Sequence, residues 1–223
     1  MSAATRGMFI TFEGAEGSGK STQARQLAEW LQSQGASVLF TREPGGTPIA
    51  DQIRHIILTP DNTAMVPQAE ALLYSASRAQ HVAERIRPAL AAGQIVVCDR
   101  FADSTLAYQG YGLGLDLTML RVVTQFATGG LSPDLTIYLD CPVEIGLARK
   151  RAAARIGGEW NRLDRKPIEY HERVRAGYLE LARIESRRWL IIDATGPVES
   201  VQDAVRAAAT PHLETLWQPP LHP

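Results

Sequence analysis

Short apolar runs alternate along this chain with longer stretches in which apolar residues recur every three or four positions. The runs cover 9–12, 38–40, 95–98, 135–139 and 189–192. None alternates apolar with polar residues as a strand with one wet face does. Each therefore predicts a strand covered on both sides, and strands separated by helices predict a parallel sheet. The intervening periodic stretches predict helices over 21–34, closed by Gly35, and over 48–58, closed by Thr59-Pro60. A longer stretch over 66–92 suits one helix or a pair, with Pro67 in a tolerant first turn and Gly93 as a stop. Further helices are predicted over 116–128, 143–154, 167–184 and 198–209. The end, 211–223, holds four of the thirteen prolines and is predicted to fray.

Every apolar run leads within a few residues to an acid: Glu13, Glu43, Asp99, Asp140 and Asp193. In open parallel sheets the ligand crevice lies beyond the carboxyl ends of the strands, so several of these acids are expected to meet there. Any one of them alone is as readily a helix cap or a solvated turn. The first run carries a second feature. Directly after it, Gly14-Ala15-Glu16-Gly17-Ser18-Gly19-Lys20-Ser21 fits the pattern GxxxxGK[ST], with a strand before it and a helix after it. The glycines let backbone N–H groups turn inward around an anion, and the new helix adds its free N–H groups and the positive end of its dipole. Lys20 then reaches the outer phosphates of a nucleoside triphosphate, and Ser21 offers a hydroxyl to Mg²⁺. Thr22 continues the loop into the helix.

Composition changes this picture little. With 223 residues, 45% hydrophobic and 21% charged, the chain suits one α/β domain with a core of its own. A net charge of -1 gives no general attraction to nucleic acid or to an anionic membrane. Lys occurs only at 20, 150 and 166, so almost all positive charge is Arg. Arg suits bidentate phosphate binding, but genomic base composition skews Lys to Arg equally well. Cys98 and Cys141 sit in or beside apolar runs without metal-ligand spacing, as buried thiols in a reducing compartment do. No signal-peptide pattern and no apolar span of membrane length is present, so a cytoplasmic protein is expected.

Three further segments carry chemistry. Thr41-Arg42-Glu43-Pro44-Gly45-Gly46-Thr47 is a turn at a strand end with both charges set before a proline. Tyr74 and Arg78 stand four apart on one predicted helix face, where a ring and a guanidinium can hold a base or simply pack at the edge of the core. After 95–98 comes Asp99-Arg100-Phe101, followed by a predicted turn at Tyr108-Gln109-Gly110. Asp99 is placed to hold Mg²⁺ through water, and Arg100 to clamp a phosphate.

In order and spacing, these segments resemble a thymidylate kinase. The resemblance rests on the phosphate loop, TREPGGT at 41–47, Arg78 within YSASRAQH, Asp99-Arg100-Phe101, AYQG at 107–110 and SPDLTIYLD at 132–140, and runs from about residue 8 to about 209. It implies a P-loop NTPase fold, a five-stranded parallel sheet of order 2-3-1-4-5 with helices on both faces, and a homodimer. It also implies transfer of a phosphoryl group from Mg-ATP to dTMP. By resemblance, Arg100 binds the acceptor phosphate, Tyr74 stacks on thymine and Arg78 reads its exocyclic oxygen. Tyr108 lies under the deoxyribose with Gln109 near it, and Arg42 and Glu43 shape the acceptor side. Glu13 and Asp99 order water or the acceptor.

Transfer between two phosphates crowds negative charge and must exclude water, which a mobile basic lid achieves. Arg149, Arg151, Arg155, Arg162 and Arg165 surround Gly157-Gly158, so a lid is expected over about 150–166 of a single kinase domain whose core spans about 8–209. The loop positions Ala15, Glu16, Gly17 and Ser18 hold no Arg, as in bacterial-type members that place catalytic arginines in the lid. The lid is several residues longer than usual before Leu163-Asp164-Arg165. Arg155 is the expected catalytic arginine, with Arg151 and Arg162 as rivals. A GTP-dependent switch protein would need an NKxD motif, which is absent, and a nucleic-acid-dependent ATPase would need a basic track. The nearest alternative is a kinase of the same fold acting on another nucleotide or on a deoxynucleoside.

Overall fold

The computed structural model describes residues 7–216. Five parallel strands form one sheet: β1 (Phe9–Glu13), β2 (Val38–Arg42), β3 (Ile95–Asp99), β4 (Leu135–Asp140) and β5 (Trp189–Asp193), in the order β2-β3-β1-β4-β5. That is the expected order. Phe12 pairs with Asp99, and Arg42 pairs with Asp99 from the other side, so β1, β2 and β3 end at one level and their terminal acids share one edge.

Helices cover both faces, which is why the strands carry no polar alternation. Ile10, Phe12, Ile95, Val97, Ile137 and Leu139 face α1 (Lys20–Ser33) and, as the last helix, α9 (Val198–Leu216). On the other face Phe9, Val96, Cys98 and Phe101 pack with Val82, Ile86 and Leu90. These last residues belong to one continuous helical stretch: α3 (Pro67–His81), a π-helical turn (Val82–Ile86) and α4 (Arg87–Ala91). Next to it, α5 (Ala102–Thr105) runs directly into a π-helical segment (Leu106–Gly112). Tyr138, Tyr108, Tyr170, Tyr178 and Trp189 fill the space between that segment, β4, β5 and α8 (Ile168–Ile184). Both cysteines are buried and free.

The remaining helices are α2 (Pro48–Leu58), α6 (Leu117–Thr128) and α7 (Val143–Arg155). Their ends follow local chemistry. The Thr47 hydroxyl caps α2 at the Ala50 N–H, 3.3 Å away, Asp116 caps α6 at the Met119 N–H, and Gly129 closes α6 in the left-handed region. Two expectations need correction. Tyr108-Gln109-Gly110 is not a turn but part of the π-helical segment, because its apolar side chains bury against α8. The last helix does not stop near residue 209. It runs through Pro211 to Leu216, held on the core by Val205, Ala209 and Leu213. The remainder of the expected frayed tail, 217–223, lies outside the described residues.

Candidate active site

At the ends of β1, β2 and β3 the chain opens a cleft of about 540 Å³. Its donor side is the loop that follows β1. Gly14, Gly17 and Gly19 have φ of 153°, 71° and 91°, a backbone that side chains disfavour. Gly17 is also sterically obligatory, since a Cβ there would sit 1.8 Å from the Gly146 oxygen of α7. The loop is thus seated on α7, while Gly17, Gly19 and the start of α1 line the cleft. Lys20 curls back onto the Ala15 carbonyl at 2.7 Å. Burial, followed by the charge of Arg100, brings its ammonium down to about 8. The Ser21 hydroxyl donates to Asp99 Oδ2, and Asp99 Oδ1 is buried with no hydrogen-bond partner. A hydroxyl beside a carboxylate with a free oxygen is a hard-oxygen donor set that fits Mg²⁺.

Beside the loop stands Arg100, the one described non-glycine residue with positive φ, at 71°. Such strain is held only where the surroundings over-determine it. Here its Nη2 donates to Glu16 Oε1 and to the Tyr108 hydroxyl, both at 2.8 Å, and its Nη1 donates to the Gly14 carbonyl at 3.1 Å. The guanidinium lies 4.8 Å from the Tyr108 ring centre. Burial alone would raise the Glu16 carboxyl, but Arg100, then Lys20 and Lys150, hold it down to about 2. Arg100 therefore has a fixed counter-ion at the rim of the phosphate loop.

Arg42, Glu43, Tyr74, Tyr108 and Gln109 all line this cleft, as expected of an acceptor side. Arg78 and Glu13 are placed differently. Arg78 is 1% exposed and donates to Glu43, Thr105 and the Phe101 carbonyl at 2.7, 2.9 and 3.0 Å, so it forms the wall behind the cleft. Glu13 is fully buried and accepts from the Phe101 N–H, the Ser104 hydroxyl and the Tyr178 hydroxyl at 2.8, 2.6 and 2.8 Å. Burial, then the nearby Asp103, pushes its carboxyl up to about 7. In this position it fixes the backbone directly after Arg100. The other strand-end acids serve locally: Asp140 takes a bidentate pair from Arg175, and Asp193 accepts from the Thr195 N–H.

The expected lid arginines also separate. Arg149 and Lys150 line the cleft, and Arg149 donates to the Ala194 and Thr195 carbonyls at 2.7 and 2.8 Å. Arg155 is exposed at the end of α7 and does not line the cleft, and Arg151 is exposed as well. Arg162 is buried and paired to Glu70. The segment expected to form a lid is thereby tied to α3 through Glu70 and to α2, where Arg54 meets Glu159 at 3.1 Å.

Sequence reasoning passed over Glu70, Ser104, Lys150 and Tyr178. Ser104 stands four residues beyond Arg100, in the short α5 that follows it. Tyr178 lies 165 residues from the carboxylate it serves, and no local pattern marks it.

The thymidylate kinase family model matches residues 12–205. A thymidylate kinase of Herpetosiphon aurantiacus is 51% identical, over 94% of this chain and 98% of its own length. The chain belongs to the thymidylate kinase family. A Roseiflexus thymidylate kinase is 54% identical over 94% of this chain and 96% of its own length. Among solved structures, the thymidylate kinase of Ehrlichia chaffeensis superimposes with a TM-score of 0.73 at 31% identity, covering 91% of this chain and 98% of that one. The matched residues run from the end of β1 through β5 and into the last helix.

Proposed function

We propose that this member of the family phosphorylates dTMP to dTDP with Mg-ATP as donor. One observation carries the reading: the backbone cradle ending in Lys20 and the guanidinium of Arg100, which rests on the same loop through Gly14 and Glu16, line one cleft. Two such cations in one cleft suit transfer from one phosphate to another better than hydrolysis or simple binding. In the transfer, an oxygen of the acceptor phosphate bonds to the γ-phosphorus of ATP as the bond to the ADP oxygen breaks. Positions 14–22 hold the donor phosphates, and Lys20 balances the charge that grows between donor and acceptor. Arg100 exchanges Glu16 for the acceptor phosphate. Ser21 and Asp99 would hold Mg²⁺, which would supply charge neutralisation at the phosphate oxygens. Tyr74 offers a ring to the base, Tyr108 closes the sugar side, and Arg42 and Glu43 border the acceptor. Arg78 keeps N–H capacity on both terminal nitrogens to read a base oxygen, while Glu13 acts by fixing the chain that carries Arg100. Arg155 supplies the lid cation once the lid moves inward.

Leu72 of α3 and Met119, Val122 and Phe126 of α6 are exposed by 56–89% on adjacent helices, which suits a second copy as partner. Two buried free thiols suit a cytoplasmic setting, and among the described residues no helix is long and apolar enough to cross a membrane. The test is ADP release from Mg-ATP with dTMP, dUMP, UMP, dCMP, dGMP and thymidine offered in turn. Selective turnover of dTMP is expected. Preference for thymidine would remove the acceptor-phosphate role, and turnover with none of them would reduce the cleft to a binding site.

A further inference from the structure

Gln109 lines the cleft beside Tyr74, Thr105 and Tyr108, yet its residue is only 1% exposed. Its Nε2 donates to Glu70 Oε1 at 2.8 Å. The two ends of a glutamine amide have nearly the same shape, so an unconstrained Gln109 could present either a donor or an acceptor to a ligand. Glu70 removes that freedom. A carboxylate has only lone pairs to offer, so it binds the N–H₂ end and leaves Oε1 over, and no donor among the described residues reaches that oxygen. Glu70 is itself buried, and its second oxygen accepts from Arg162 Nη2. Without that guanidinium the buried carboxylate would lack a counter-charge.

We infer that Glu70 is a positioning residue for base selection: it locks the Gln109 amide so that the cleft presents a hydrogen-bond acceptor to the acceptor base. The inference rests on the proposed dTMP reading and deepens it. An acceptor at this place matches a pyrimidine whose ring nitrogen carries a proton, as in thymine and uracil. It opposes a lone pair on cytosine, which has no proton on that nitrogen. Because Arg162 belongs to the lid and also donates to the Ile57 carbonyl at 3.3 Å, one carboxylate serves both the base-reading side chain and the anchored lid.

The test compares kcat/KM for dTMP, dUMP and dCMP in the full-length protein, with saturating Mg-ATP, for wild type, Glu70→Gln, Gln109→Met and the double variant. A glutamine at 70 can donate or accept, so the Gln109 amide regains its freedom. The dTMP-over-dCMP preference should then fall by about tenfold or more, chiefly through the acceptor KM, while the KM for ATP holds. Gln109→Met, which leaves the Glu70–Arg162 pair in place, should lose the same preference, and the double variant should lose no more. A uniform fall in kcat for all three nucleotides with the preference intact in Glu70→Gln would overturn the inference. So would an unchanged preference in Gln109→Met, which decides the matter even where Glu70→Gln does not fold. Arg162→Lys keeps a cation beside the carboxylate and should keep the preference; its loss there would assign the effect to the lid and overturn the role of Glu70. Failure of the wild type to use dTMP at all would instead strike the proposed function.

Discussion

From Gly14 to Ser21 the donor side of the cleft is made of consecutive residues, and what shapes it is backbone: three glycines with positive φ and the start of α1. The acceptor side has no such unit. Arg100 is held by Gly14, Glu16 and Tyr108, its following backbone by Glu13, and Gln109 by a glutamate near the start of α3 whose other partner comes from the lid. The first arrangement is fixed by conformation and tolerates little change in residue size. The second is fixed by paired charges, each of which is costly to remove singly. A phosphate common to all donors suits the first design, and a particular acceptor suits the second.

The sharpest way to test that contrast is the proposed lid, whose Arg155 is exposed and would have to move inward to reach the cleft. Arg155→Ala should lower kcat by about a thousandfold with little change in either KM, because a cation used only in the transition state is lost. Arg162→Ala should instead weaken the lid anchor and act mainly on thermal stability and acceptor KM. Single-turnover kinetics and melting curves separate the two, and the reverse pattern would exchange the assignments.

On the donor side, Gly17→Ala should destabilise the protein by about 2–4 kcal/mol and raise the KM for ATP, since its Cβ meets the Gly146 carbonyl and its φ of 71° is unfavourable. Thermal unfolding and ATP titration measure both effects. A neutral outcome would show that the loop is held by side chains after all.

A smaller effect concerns pH. Lys20 is held down to about 8 from its ordinary 10.5, so in the free enzyme it is charged below about pH 8 and neutral above. The kcat/KM for ATP should be flat through neutrality and fall above pH 8, approaching tenfold per unit. Between about pH 8 and 10.5 the unfolded chain holds more protons at this group than the folded one, so its contribution to stability rises with pH while activity declines. A pH profile of initial rates beside one of melting temperature would show the two trends diverging. A rate that stays flat to pH 10 would mean that Lys20 remains charged.

The same contrast governs what the sequence alone made readable. The strands, their parallel direction and the phosphate loop rest on residues close together in the chain and were visible as runs or a spacing, whereas the strand order came from the family resemblance. Arg42, Glu43, Tyr74 and Arg100 were readable as cleft candidates because they stand at strand ends or on a marked helix face, and Tyr108 and Gln109 through the family resemblance. The helical form of 106–112 was hidden because its signal is burial against α8, 61 residues away at the Arg173–Gly112 contact. The continuation of α9 through Pro211 was hidden because a proline normally argues against it, whereas packing of Leu213 on the core carries the helix past. Glu70 left no trace because its partners lie 39 and 92 residues off. Long-range charge pairs have no periodicity to read.

The most direct test of the two-cradle account is calorimetric binding of dTMP and of thymidine to the wild type and to Arg100→Ala, with ATP binding measured alongside. The account predicts that the wild type holds dTMP about tenfold to a hundredfold more tightly than thymidine, and that Arg100→Ala loses most of that difference while its affinity for ATP stays close to wild type. An undiminished preference for the phosphate in Arg100→Ala, or an equal loss of dTMP and ATP binding, would contradict it.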